Sequence, residues 1–144
     1  MADLRLVHEG DDTLGEKASA NRNILATEVD IADSLFSTAR GLMLRATLPD
    51  NYALVMEVGG GTLLPFSSGP PLQSVHMLFV RMALDVLWLD GDEVVRVSRM
   101  HPWRSIGIAR ADRIIELPAG NADGVSVGDS VILENRDSDT TDSE

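Results

Sequence analysis

The chain has 144 residues, a formal net charge of -11 and no cysteine. One domain of this size can bury a full core, and the acidic balance argues against a nucleic-acid partner or an anionic membrane surface, since phosphate binding needs clustered Lys and Arg. The lack of cysteine excludes disulfides, thiolate metal sites and cysteine nucleophiles.

The segment MADLRLVHEGDD has no basic stretch followed by an apolar one, so no signal peptide is expected and the cytoplasm is the default location. Leu4–Glu9 alternates apolar and polar residues, the pattern of a strand. A polar connection follows, and then Ile24–Asp33, which alternates for most of its length and predicts a second strand. The period changes at Leu35, Ala39, Leu42, Met43 and Ala46, which fall at helical spacing. Asp33 or Ser34 can cap this helix, and Leu48-Pro49 closes it.

Tyr52–Val58 predicts a strong strand, and Gly59–Ser74, rich in Gly, Ser and Pro, predicts a loop. Val75–Asp90 is the most apolar part of the chain, yet it holds His76, Arg81 and Asp85. It is too short to span a bilayer, and its mid-segment charges would each cost at least about 2.5 kcal/mol in lipid. As one strand it would extend about 50 Å, too far for a domain whose radius of gyration is about 15 Å. It therefore bends around Arg81-Met82-Ala83 into two strands, Val75–Val80 and Leu84–Leu89. The second is apolar on both faces apart from Asp85, as expected of a strand buried on both sides. A buried carboxylate needs an arginine, backbone donors or a proton, and Arg81, Arg40, Arg45 and Arg104 are the candidate arginines.

Beyond this stretch, Gly91-Asp92-Glu93 predicts a tight hairpin and Val94–Met100 a strand. His101–Gly107 reads as a loop carrying Trp103, Arg113–Gly120 as a short strand with a turn, and Ser130–Glu134 as the last strand. Residues 135–144 form an acidic tail expected to be disordered. The fold class that follows is mainly β: a compact β-sandwich or barrel-like single domain over residues 1–134 with one or two short helices.

Several pieces in order resemble the uncharacterised family known as domain of unknown function 192: Arg40–Arg45 (RGLMLR), His76-Met77, Leu84-Asp85, His101–Arg104 (HPWR), Glu116–Gly120 (ELPAG) and Val127–Asp129 (VGD). The resemblance covers roughly Val29 to Leu133 and looks most similar to archaeal members. It departs at Ala83, where members commonly carry proline, and in the insertion Gly59–Ser74. It implies a compact, mainly β fold with a short helix from the RGLM region, and no reaction, because fold alone carries none. Lys17 is the only lysine beside eleven arginines, and Asp outnumbers Glu. This composition fits a halophilic, salt-loaded cytosol, where at ~1 M salt the Debye length falls to about 3 Å and surface self-repulsion is screened.

The chemistries can be ranked. His76, His101, Asp85 and Glu116 could converge on a metal, but no HxH, HxxxH or HExxH spacing exists, and separate histidines are the better reading. No GxSxG elbow is present, and Gly59–Thr62 lacks the lysine of a phosphate loop. Asp85 and Glu116 could share a proton, although arginine-paired structural carboxylates are the commoner arrangement. Trp103 and Arg104, with His76 and His101, could rim a pocket for a small polar molecule; alternatively Trp103 is a lid over the core and Arg104 pairs with Asp85. The leading expectation is a small-ligand or partner binding module with a pocket drawn from Arg40, Arg45, His76, Asp85, Trp103, Arg104 and Glu116. The alternatives are a small hydrolytic or metal-assisted enzyme using Asp85, His76 and Glu116, and a purely structural or interaction domain. The sequence names no cofactor and no oligomeric state.

Overall fold

A computed structural model describes residues 3–10, 22–32, 48–57, 72–76, 82–104 and 106–136. Ten strands occur among these: β1 (Leu4–Glu9), β2 (Arg22–Ala26), β3 (Glu28–Ala32), β4 (Tyr52–Glu57), β5 (Leu72–His76), β6 (Leu84–Asp90), β7 (Glu93–Met100), β8 (Ile106–Arg110), β9 (Arg113–Pro118) and β10 (Ser130–Asn135). Eight form one sheet in the order β2-β1-β10-β7-β6-β9-β4-β3, and β5 pairs with β8 as a separate ribbon.

The two outer strands of the eight-stranded sheet, β2 and β3, are consecutive in the chain and separated by Thr27 alone. Both edges therefore belong to one stretch of backbone, and the sheet must curl until they meet. The two edge strands, each paired on one side only, are thereby brought together at Thr27. β2 pairs antiparallel with β1, while β3 pairs parallel with β4. The seam is tied by Asn51: its carbonyl accepts from the Thr27 and Glu28 amides, both at 2.9 Å, and its Nδ2 donates to Thr27 Oγ1 at 2.8 Å.

Curling gives the sheet an inner and an outer face, each with its own apolar cluster. Inside lie Leu6, Val55, Leu87, Leu89, Ile115, Leu117 and Val131, with Ala122 and Val125 from the turn after β9. Outside lie Tyr52, Leu54, Met56, Leu84, Val86, Trp88, Met100 and Ile114. β6 contributes to both, so Leu84–Leu89 are all buried, as the sequence predicts for a strand covered on two sides. Each fully buried Leu or Ile contributes about 1.5–3 kcal/mol relative to exposure.

The ribbon sits on the outer face. A Cβ added at Gly107 of β8 would fall 2.5 Å from Trp88 Cη2, so the backbone there rests directly on the indole. Arg96 reaches over the same indole at 5.2 Å from the ring centroid and donates to the Ile108 carbonyl at 2.6 Å.

The mainly β, barrel-like expectation holds, and several boundaries move. The loop expected over Gly59–Ser74 ends before Leu72, where β5 begins, and the loop expected over His101–Gly107 ends before Ile106, where β8 begins. These two strands exist through each other, in register Leu72↔Arg110 to His76↔Ile106, and neither carries a clean alternation of its own. The expected strand over Ile24–Asp33 is interrupted at Thr27. Asn135, expected in the tail, pairs with Leu4, and the Arg136 amide donates to the Asp3 carbonyl at 2.9 Å. The helix expected around residues 34–48, the strand residues 77–80, and the tail from 137 onward lie outside the described residues. Among the described residues no helix is long and apolar enough to cross a membrane.

Candidate functional site

The two carboxyl groups singled out from the sequence stand on opposite faces of the sheet. Asp85 pairs in register with Leu117 of β9, and Glu116 pairs with Val86 of β6. Because side chains alternate along a strand, Asp85 shares the inner face with Leu117, whereas Glu116 shares the outer face with Val86. They cannot share a proton or ligate one ion, which corrects both the acid pair and the metal or hydrolytic site built on them. Among the described residues no group of three or more His, Asp or Glu could hold a metal.

Asp85 is 3% exposed, and its oxygens are occupied. Oδ1 accepts from Arg99 Nε at 3.0 Å; Oδ2 accepts from the Gly120 amide at 2.9 Å and the Ala122 amide at 3.0 Å. Arg99 also pairs with Asp123, and these bonds, Asp85 first, raise the guanidinium pKa further. Gly120 adopts φ 100°, a left-handed conformation that favours glycine, so the chain turns sharply after Pro118 and presents its amides to Asp85. The Leu-Asp and Glu-Leu-Pro-Ala-Gly pieces of the family pattern thus meet in one structural knot, which closes the turn over the inner cluster.

Neither Arg104 nor the other expected arginines holds Asp85. Arg99 stands opposite it because the β6–β7 register shifts by one residue between Trp88 and Leu89. Without that bulge Ser98 would face Asp85, so counting from the Gly91-Asp92 turn does not find Arg99.

Glu116 is the opposite case. It is 7% exposed and stands between Val86 of β6 and Leu54 of β4. No hydrogen bond or ion pair reaches it among the described residues. Burial without compensation raises its pKa from 4.5 to about 7. Two residues along β6 from Val86, Trp88 stands opposite Ile114, on the same outer face and diagonal to Glu116. Its Nε1 is buried and has no hydrogen-bond partner. On the other side, beyond Leu54, Asp30 of β3 accepts from the Tyr52 hydroxyl at 2.8 Å. The sequence marked Glu116 but not Trp88, whose apolar strand neighbours read as plain core.

Of the remaining sequence candidates, His101, Trp103 and Arg104 lie on the surface. His76 ends β5, where it pairs through the backbone with Ile106. Trp103 is 52% exposed at φ 67°, so it is no lid over the core, and Arg104 does not pair with Asp85. Arg40 and Arg45 lie outside the described residues. A surface depression of about 290 Å³ lies at the seam, lined by Ile24, Leu25, Thr27, Asp50, Asn51 and Asn121 among others. It contains none of the expected pocket residues, and Asn51 and Asn121 spend their amides on Thr27 and the Asp50 carbonyl. A further polar pair went unmarked in the sequence: His8 Nε2 lies 2.7 Å from Asp129 Oδ2, both buried, tying β1 to the Val-Gly-Asp turn.

A protein-family model, domain of unknown function 192 (uncharacterized ACR), matches residues 16–133. The chain is 38% identical over 110 residues to a UPF0127 protein of Thermococcus sibiricus, covering 74% of this chain and 66% of that protein, just under two thirds. It is 35% identical over 102 residues to a UPF0127 protein of Pyrococcus furiosus, covering 69% of this chain and 79% of that one. Among solved structures, a Sinorhizobium meliloti protein described as a proposed transcription regulator superposes with a TM-score of 0.69 at 19% identity, covering 92% of this chain and 95% of that one. A protein of unknown function from Novosphingobium aromaticivorans superposes with a TM-score of 0.67, also at 19% identity, covering 89% and 83%. At that identity the two structures share the fold and carry nothing further.

Proposed function

The chain belongs to the family of domain of unknown function 192, and within it we propose a small-ligand binding module whose site is the outer face of the sheet around Glu116. The observation that carries this reading is a pair of orphaned polar groups. The Glu116 carboxyl and the Trp88 N–H are buried one diagonal apart among Leu54, Val86 and Ile114, and neither has a partner among the described residues. A buried polar group without a partner costs about 1–3 kcal/mol, and such sites are where ligands or bound waters are found. A mostly apolar surface with a few convergent polar groups is the usual make-up of a small-molecule site. Asp85 does not belong to it, being saturated on the inner face. The enzyme reading thereby loses one of its two carboxylates.

The working compartment in this proposal is the cytoplasm, and a Lys-poor, Asp-rich surface suits a salt-loaded one. The test is a metabolite screen by native mass spectrometry on the whole chain, repeated with Glu116→Gln. The expected result is at least one adduct that the variant loses. Failure to form any adduct, or adducts that the variant keeps unchanged, sinks the proposal.

A further inference from the structure

We propose that the solvent side of the β5–β8 ribbon, with the bend that leads into β8, docks a short acidic peptide segment of another protein. The inference is independent of the reading given for Glu116 and concerns the side of the ribbon turned away from the sheet.

Charge is divided unevenly along this chain. Residues 58–84 and 94–111 hold none of its 23 Asp and Glu but five of its 12 Lys and Arg. These two stretches contain the whole ribbon, β5 (Leu72–His76) and β8 (Ile106–Arg110). The chain on either side of β5 therefore brings it no acid, and adds Arg81. Ion pairing follows the same division. Arg5 and Arg22 meet Glu134, Arg113 meets Glu57, and Arg136 meets Asp3. Within the stretch 94–111 only Arg99 is matched, by Asp85 on the inner face of the sheet. Arg96, Arg104 and Arg110 have no ion pair among the described residues, and Arg96 lies over the Trp88 ring and donates to the Ile108 carbonyl.

Apolar groups stand among these arginines. Gly107 meets Trp88 and Ala109 packs against the outer cluster, so strand alternation turns Ile108 and Arg110 to solvent, where both are exposed. Just ahead of β8, Trp103 and Arg104 are also exposed. Trp103 holds φ 67°, a left-handed conformation that a bulky residue rarely adopts and that is found most often at functional surfaces. Tryptophan and arginine are the residues that most often dominate binding energy at protein interfaces.

The charge selects the partner. Guanidinium groups form forked, charge-assisted bonds with carboxylates, and Trp103 and Ile108 offer contact to an apolar side chain between them. A second copy docked across a two-fold axis would set Arg104 and Arg110 against basic residues of the same patch. A long nucleic acid would run past the ribbon onto a surface that carries the acids of the chain. A short acidic segment meets the patch and extends no further.

The test is fluorescence anisotropy of a labelled short peptide alternating Glu and Leu, titrated with the full chain beside its Gln-for-Glu counterpart and a labelled oligothymidylate. The acidic peptide is expected to bind, and the other two probes at least tenfold more weakly. Raising salt from about 0.15 M to about 1 M shortens the Debye length from about 8 Å to about 3 Å and should weaken the acidic peptide's binding. Arg104→Gln combined with Arg110→Gln, and separately Trp103→Gly, should each lower its affinity at least tenfold with the far-UV spectrum unchanged. A glycine takes φ 67° without strain, so that variant removes the indole and keeps the bend. Absence of binding, equal binding of the two peptides, or binding that survives these substitutions overturns the inference. Tighter binding of the oligothymidylate overturns it in favour of nucleic acid. Self-association of the free chain that Arg104→Gln and Arg110→Gln abolish, or peptide binding that appears only after Asp137→Asn, Asp139→Asn, Asp142→Asn and Glu144→Gln, overturns it in favour of this chain's own acids. None of these outcomes bears on Glu116.

Discussion

At Glu116 a carboxyl stands between Leu54 and Val86 with nothing among the described residues to pair it, and burial raises its pKa to about 7 from 4.5. The folded state therefore holds the proton more tightly than the unfolded state. The native protein keeps its full stability from this group below pH 4.5 and loses it as pH rises to about 7, by about 3 kcal/mol in all. Glu116→Gln removes this dependence. Denaturant unfolding of the two proteins from about pH 4.5 to pH 8 should show the variant gaining relative stability with increasing pH; parallel curves would contradict the burial of an unpaired carboxyl. Asp85 gives the converse expectation. Asp85→Ala strands the Gly120 and Ala122 amides and should destabilise by roughly 2–4 kcal/mol, whereas Arg99→Ala leaves both amide bonds in place and should cost clearly less. The two midpoints in urea check the order. Equal losses would mean that the ion pair, rather than the turn, is what Asp85 holds.

Among the elements, the β5–β8 ribbon is the one least visible in the sequence and the one that covers the outer face. Ile106–Arg110 shows no alternation because Gly107 is where backbone meets the Trp88 indole. A side chain there has nowhere to go: Gly107→Ala should cost about 1–3 kcal/mol by overpacking, measurable as a drop in Tm. A change within error would show that the ribbon does not rest on Trp88. The β6–β7 hairpin teaches a different lesson. Its turn at Gly91-Asp92 is plain from composition, but the bulge beside Trp88 is not, and that single residue decides whether Ser98 or Arg99 meets Asp85. The break at Thr27 is likewise silent in the alternation of Ile24–Asp33, yet it lets one stretch of chain serve as both edges of the sheet.

For the whole molecule, a net charge of -11 implies self-repulsion that salt relieves. Thermal unfolding in KCl from about 0.1 M to about 2 M should show Tm rising steeply at first and then levelling; a flat or falling Tm would remove the halophilic reading. The mainly β class, the strands β1, β4, β6, β7 and β9, the two-sided burial of Leu84–Leu89, and family membership were legible from the sequence, because alternation, turn residues and motif order are local properties of a chain. Pairing is not local. Which face each carboxyl takes, that Arg99 holds Asp85, that β5 and β8 exist at all, and that the two edges of the sheet close at Thr27 depend on register between segments far apart in sequence. In a β fold a one-residue shift moves a side chain from one face to the other. That is why two acids read alike in the chain became, in three dimensions, a saturated structural knot on the inner face and, on the outer face, a buried carboxyl with no partner among the described residues.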